Sequence, residues 1–235
     1  HVRIALPEDT LFALETALER TDPNAQEGQT DEIHLAMGEH AVLAPVTVVQ
    51  TATVSGRAWQ DQNADGMMNA DEAALPGVTV ALIDADGNAA AQQVVGEDGR
   101  YSFNLIRSGT YALRFTLPGG ELFADRNGAE GGSCVEPVEG GTATTEPMTL
   151  EAGQKLGNLN VGAIEACEIG DTVWLDSNGN GLQDYGEPGL KGVELTLLRV
   201  SETGQTDIAV QTVSDEYGYY HFRNLRPGSY SLRVE

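Results

Sequence analysis

Asp61-Gln-Asn-Ala-Asp-Gly-Met-Met-Asn-Ala-Asp-Glu72 returns 115 residues later as Asp176-Ser-Asn-Gly-Asn-Gly-Leu-Gln-Asp-Tyr-Gly-Glu187. A chain that spells one loop twice is built from copies of a unit, and each copy must fold alike. At the same offset Trp59 pairs with Trp174, and Ile33-His-Leu-Ala-Met-Gly-Glu39 with Met148-Thr-Leu-Glu-Ala-Gly-Gln154. Further on the offset becomes 119, where Tyr101-Ser-Phe103 matches Tyr220-His-Phe222 and Gly109-Thr-Tyr-Ala-Leu-Arg114 matches Gly228-Ser-Tyr-Ser-Leu-Arg233. The four extra residues are expected in a hairpin tip, where Asp84-Ala-Asp-Gly-Asn88 gives way to a longer segment around Ser201-Glu-Thr-Gly204. Val2-Arg-Ile-Ala-Leu-Pro7 resembles Leu113-Arg-Phe-Thr-Leu-Pro118. The pattern predicts the end of a preceding repeat over 1–53, a complete repeat over 54–168 and the first part of a following repeat over 169–235. A period this long marks an array of domains rather than a solenoid.

Both loops have the form D-x-[DN]-x-[DN]-G-x5-E, which gathers oxygen donors around a calcium ion. Positions 1, 3 and 5 are Asp61, Asn63 and Asp65 in the first loop, and Asp176, Asn178 and Asn180 in the second. Gly66 and Gly181 allow the sharp turn at position 6. Met67 and Leu182 are expected to offer main-chain carbonyls, Asn69 and Asp184 to act at position 9, and Glu72 and Glu187 to close the shell with two oxygens each. Asp, Asn and Gly also make ordinary surface turns, but two full loops ending in Glu favour calcium. Val54-Ser-Gly-Arg-Ala-Trp59 and Ile169-Gly-Asp-Thr-Val-Trp174 lead into them and read as strands, so these are EF-hand-like loops on a β scaffold.

The rest of each copy alternates with period two. Val78, Val80 and Leu82 alternate with Thr79 and Ala81; Val193, Leu195 and Leu197 repeat the pattern. Short strands broken by Gly, Asn and Asp predict an all-β chain of tandem immunoglobulin-like, Greek-key β-sandwich repeats. Asp9 to Arg20 departs from this, with a possible N-cap and Leu11, Leu14 and Leu18 at helical spacing. Trp59 and Trp174 are expected in the core, and His221 on a solvent-facing strand position.

Trp174 to Gly189, Val193-Glu-Leu-Thr-Leu-Leu198, Asp215-Glu-Tyr-Gly-Tyr-Tyr220 and Asn224-Leu-Arg-Pro-Gly-Ser-Tyr230 resemble the B repeats of serine-aspartate repeat surface adhesins of Gram-positive bacteria. The resemblance implies calcium-binding sandwiches strung head to tail as a rigid stalk on the cell surface. The family places an Asp three residues before a Gly, as Asp215 precedes Gly218, and Gly96 stands there in the first copy; a secondary calcium site using that Asp would be absent from it. Related collagen-adhesin B domains carry Lys–Asn cross-links. The only lysines here, Lys155 and Lys191, lie outside an opening strand, so none is expected.

Asp and Glu total 36 against 13 Lys and Arg, a net charge of −23 that repels nucleic acid and anionic membrane surfaces. No run of 18 apolar residues predicts membrane insertion. Cys134 and Cys167 are the only cysteines, and a bridge between them is expected in an extracellular chain. There is no G-x-S-x-G, H-E-x-x-H or Walker loop, and carboxylates are too plentiful for a glycosidase spacing to mean anything. The expected role is therefore a non-catalytic, calcium-stabilised stalk segment of a secreted, cell-wall-borne adhesin, its partners being neighbouring repeats. The alternatives are an adhesive module binding a host protein or glycan, or a strand-complemented filament subunit that self-associates head to tail. Each loop is expected beside the junction with the preceding repeat, where a bound ion would stiffen the rod.

Overall fold

The computed structural model describes residues 1–14, 25–43, 45–138, 140–201 and 203–235. Every regular element among them is a strand, and none is a helix long and apolar enough to cross a membrane. The chain divides into two units, one of His1–Pro118 with Phe123–Ala163, the other of Gly119–Leu122 with Ile164–Glu235.

The first unit opens with two short ribbons. Strand β1 (Arg3–Ala5) pairs with β3 (Glu27–Gln29), and β2 (Thr10–Phe12) with β4 (Val48–Gln50), both antiparallel. Strand β2 overturns the expected helix at its start. Leu11 and Phe12 are adjacent and both fully buried, which a paired strand covered on both faces achieves. Residues 15–24, and Leu18 with them, lie outside the described residues.

A sandwich follows, built from β5 (Ala52–Gln60), β6 (Thr79–Asp84), β7 (Ala89–Val94), β8 (Arg100–Ile106) and β9 (Gly109–Thr116), then the short β10 (Glu121–Phe123), β11 (Thr142–Thr144), β12 (Met148–Leu150) and β13 (Lys155–Leu156), and the closing β14 (Val161–Glu165). In one sheet β5 pairs antiparallel with β8 and parallel with β13 and β14, with β10 beyond β14; the other runs β7–β6–β9, with β11 and β12 on the free edge of β9. Side chains from both sheets meet in one core that includes Val54, Tyr101, Val80, Leu82, Leu113 and Phe115. Tyr101 packs edge-on to Phe115, ring centres 5.9 Å apart. The strand expected to alternate, β6, is buried along both faces from Val80 to Ile83.

The second unit repeats half of this plan with β15 (Cys167–Thr172), β16 (Glu194–Val200), β17 (Thr206–Val213), β18 (Tyr219–Leu225) and β19 (Ser229–Val234). Strand β15 pairs with β18, and β16 lies between β17 and β19. Leu195, Leu197, Phe222 and Leu225 form its core. Even the irregularities recur: register shifts fall between Ala52 and Val54 and between Cys167 and Ile169, and again between Leu82 and Ile83 and between Leu197 and Leu198. The inserted residues fall at the β16–β17 tip, as the repeat offset required. His221 is exposed on β18, as expected.

The expected disulfide is absent. Cys134 and Cys167 are both free thiols, the first half-buried against the sandwich core and the second exposed. Burial pushes the Cys134 thiol up to about 12.

Candidate functional site

The twelve-residue loops are braced by their own amides, and six of those bonds recur in both. At position 1 the carboxylate of Asp61 accepts hydrogen bonds from the main-chain N–H of Gly66 (2.8 Å) and Asp65 (3.3 Å). Asp176 accepts from Gly181 (2.7 Å) and Asn180 (3.2 Å). At position 3, Oδ1 of Asn63 takes the Asp65 N–H at 3.1 Å, and Oδ1 of Asn178 the Asn180 N–H at 3.0 Å. At position 5, Oδ1 of Asp65 takes the Met67 N–H and Oδ1 of Asn180 the Leu182 N–H, both at 2.7 Å. The closing glutamates span their loops: Glu72 accepts from Gln62 (3.0 Å) and Asn69 (2.8 Å), Glu187 from Ser177 (2.8 Å) and Asp184 (3.0 Å). Six corresponding N–H···O bonds thus orient the oxygens of positions 1, 3, 5 and 12 in each loop.

At the side-chain ligand positions 1, 3, 5, 9 and 12 the loops differ only in where the negative charge sits. Position 5 is Asp65 and position 9 Asn69 in the first loop; in the second they are Asn180 and Asp184. At those positions each loop keeps three carboxylates, and the first adds a fourth, Asp71, at position 11. Side-chain amides lie against them: Asn63 Nδ2 donates to Asp65 at 3.0 Å, and Asn178 and Asn180 both donate to Asp184, at 2.7 and 2.6 Å. Among the described residues no three His, Cys, Asp or Glu side chains are gathered tightly enough to hold a metal by themselves. The donors that would have to complete such a shell are the amide oxygens of Asn63, Asn178 and Asn180 and the carbonyls of Met67 and Leu182. That donor set is all oxygen and suits a hard cation.

Burial separates the two loops. Asp61 is 2% exposed, and burial, the largest influence, raises its carboxyl above the usual range; the Gly66 N–H pulls it down and the neighbouring Glu72 charge pushes it up. Asp176 is more open, and the Gly181 N–H draws its carboxyl down; the Met67 N–H does the same for Asp65. The cover over the first loop is the stretch from Asp125 to Ser133. Ser133 N–H donates to Gly66 O at 2.9 Å, Met68 N–H to Gly131 O at 3.3 Å, and Asn127 Nδ2 to Asp65 O at 3.3 Å. A Cβ on Gly66 would fall 2.3 Å from Asp125 O, whereas nothing comes within 4 Å of the matching point on Gly181. Gly131-Gly132 was the available signal, since paired glycines permit such close backbone approach.

Position on the sandwich corrects one expectation. The opening strand β5 and closing strand β14 run parallel, with Val161 opposite Ala58 and Ala163 opposite Gln60. The Asp61 N–H continues that pairing onto Ala163 O at 2.7 Å. Nine residues of β5 span about 30 Å, so the loop lies at the pole where the chain leaves the sandwich, away from the one where it enters. Trp59, just before the loop, is 1% exposed and packs against Gly162, where a Cβ would come 2.6 Å from its ring. That places Trp59 in the core as expected; Trp174 is half-buried and outside the second unit's core, and neither indole N–H has a partner among the described residues. Asp215, whose match in the first copy is Gly96, caps its own turn by accepting the Tyr217 and Tyr219 N–H groups at 2.8 and 2.9 Å.

A sequence profile of the SdrD B-like domain matches residues 52–163 and again 167–235. Serine-aspartate repeat-containing protein C of Staphylococcus aureus strain N315 is 33% identical over 177 residues, covering 75% of this chain and 18% of that protein. The protein of the same name from strain Newman is 33% identical over 178 residues with the same coverage. This chain therefore spans under a fifth of the length of these relatives. Among solved structures, a streptococcal ancillary pilin aligns with 97% of this chain and 66% of its own at 13% identity and a TM-score of 0.35; the shaft pilin SpaA of Lactobacillus rhamnosus GG aligns with 79% and 88% at 11% and 0.34. Scores that low add no argument to the sheet pairing itself. With the profile covering most of its length in two successive copies, the chain belongs to the SdrD B-like domain family.

Proposed function

We propose that this chain is a non-catalytic stalk segment of a Gram-positive cell-surface adhesin, whose repeats are stabilised by one calcium ion per twelve-residue loop. The observation that carries the calcium reading is the six-bond network shared by both loops, which fixes the side-chain oxygens of positions 1, 3, 5 and 12 on the loop's own amides although position 5 and position 9 have exchanged their charge. Asp61, Asn63, Asp65, Glu72 and the Met67 carbonyl would hold the first ion, with Asn69 acting through water; Asp176, Asn178, Asn180, Glu187, the Leu182 carbonyl and Asp184 would hold the second. Calcium supplies positive charge where three carboxylates crowd. The protein's own part is to bury Asp61, brace Glu72 on two amides and cover the loop with residues 125–133. The stalk reading is supported by family membership and by two copies joined through a single residue, Ala166, between β14 and β15.

Thermal unfolding in calcium and in excess chelator tests this. An ion present at a hundred times its dissociation constant adds about 2.7 kcal/mol, so the melting temperature is expected to fall on chelation. Glu72→Gln is expected to weaken calcium binding to the first loop more than Asn69→Ala does. Equal melting temperatures with and without chelator would sink the calcium reading.

A further inference from the structure

The pole where the chain enters the sandwich carries a feature the stalk reading does not use. Strand β8 contains a bulge: three residues of β5, from Ala52 to Val54, face four of β8, from Phe103 to Ile106. Within it Leu105 sits at φ 58°, a conformation a branched bulky side chain adopts only under strain. The second copy has the same bulge between Phe222 and Leu225, with Asn224 at φ 55°. Two residues beyond each lies an arginine, Arg107 and Arg226. A bulge re-aims the side chains that follow it, and a left-handed residue kept at one place in both copies, strained at Leu105 and tolerated by Asn224, asks for a use.

The first copy shows what the re-aimed arginine reaches. Nη2 of Arg107 donates to the carbonyl of Phe12 at 3.1 Å, a partly buried bond to the end of the β2–β4 ribbon. The ribbon, whose ladder runs on through the Thr51 N–H to Asp9 O at 2.9 Å, meets the same pole at a further point, where Lys155 Nζ lies 3.3 Å from the Asp9 carboxylate. A Cβ on Gly153 would come 2.9 Å from the side-chain oxygen of Gln50, so the two elements approach closely there. The ribbon has a twin at the far pole. Leu11-Phe12-Ala13 matches Leu122-Phe123-Ala124, β10 pairs with β14 as β2 pairs with β4, and Asp9 and Gly120 share positive φ of 59° and 85°.

We infer that the bulge and Arg107 form a socket at the leading pole of the sandwich for the trailing ribbon of the repeat before it. The group recognised is a main-chain carbonyl at the end of a two-stranded ribbon carrying a buried Leu-Phe pair. The fork of Arg107 sets how the ribbon is seated, and the Lys155–Asp9 ion pair, which is exposed, adds little. This rests on reading residues 1–53 as the end of a preceding repeat.

Hydrogen exchange on the whole chain, in calcium, tests it. Arg107→Ala is expected to speed exchange of the Thr51 and Ala13 amides, bonded to Asp9 O and Thr47 O, by about tenfold, with Val80 and Leu82 amides in β6 unchanged. Arg107→Lys keeps the charge, loses the fork and is expected to give most of that increase. Unchanged exchange at Thr51 and Ala13 overturns the socket, as does a rise shared equally by Val80 and Leu82, which would make Arg107 a general stabiliser. Small-angle scattering of the unsubstituted chain separates the two readings. An extended particle with unaltered exchange in Arg107→Ala leaves the stalk standing without its socket. A compact particle removes the stalk whatever the exchange shows.

Discussion

At position 4 of the first loop Ala64 holds φ 58°, where the second loop has Gly179 at φ 73°. An alanine pays for that left-handed backbone with a Cβ clash that glycine avoids. Ala64→Gly is therefore expected to stabilise the metal-free protein by about 0.5–1 kcal/mol, the strain relieved outweighing the added freedom of the unfolded chain. Urea unfolding in chelator checks it, and a lower midpoint for the variant would show that the loop tolerates Ala64 without strain. The cysteines invite a second measurement. The thiolate is the reactive form, and burial holds the Cys134 thiol at about 12, above its ordinary value near 9, while Cys167 is exposed. Alkylation at pH 8 is expected to modify Cys167 quickly and Cys134 only after unfolding. Because the folded-state value is the higher one, the contribution of Cys134 to stability is whole below about pH 9 and lost as pH rises toward 12. Equal labelling rates in the folded chain would mean that Cys134 is not shielded.

At the level of strands, the parallel pairing of β14 with β5 depends on Gly162. A methyl group there would lie 2.6 Å from the Trp59 ring and 2.9 Å from Ala124 Cβ, two neighbours with no free space to move into. Gly162→Ala is expected to destabilise the first unit by about 1–3 kcal/mol, and to shift Trp59 fluorescence if the ring gives way. A variant that melts like the parent would show that β14 slides away instead. Much of this level was legible in advance. Val78 to Leu82, Tyr101 to Phe103 and Tyr111 to Phe115 announced their strands through period-two alternation, and the offset from 115 to 119 located the hairpin insertion. The helical spacing misled at its start, because Leu11 and Phe12 are placed by pairing with Val49 and Val48, 38 and 36 residues on, which no local pattern reveals. The cover over the first loop was equally hidden: Asn127, Gly131 and Ser133 act through main-chain bonds and close approach, and main-chain partners leave little mark on residue type. The loops were readable because position-specific side-chain chemistry is what defines them.

For the whole molecule the parallel closing strand changes the mechanical argument. A loop that follows the opening strand would stand near the preceding repeat only if the chain doubled back; with β5 and β14 side by side it stands where the chain departs. The Asp61 N–H to Ala163 O bond ties loop geometry to the last residues of the closing strand, and one residue separates Glu165 of β14 from Cys167 of β15. There is no Gly/Ser-rich spacer of the kind that behaves as a free coil. Calcium lost from the first loop would therefore slacken the departing strand before it loosened the core, since the loop contributes Asp61 but none of the side chains shared between the two sheets. The expected outcome in small-angle scattering of the chain is a broader distribution of dimensions in chelator than in calcium, at a temperature where the strand signal in circular dichroism is unaltered. If the dimensions stay the same while the melting temperature falls, the ion stabilises each sandwich and stiffness comes from the packing of successive repeats alone. In that case the Arg107 socket, at the opposite pole from the loop, would be the stronger determinant of how straight the stalk stands.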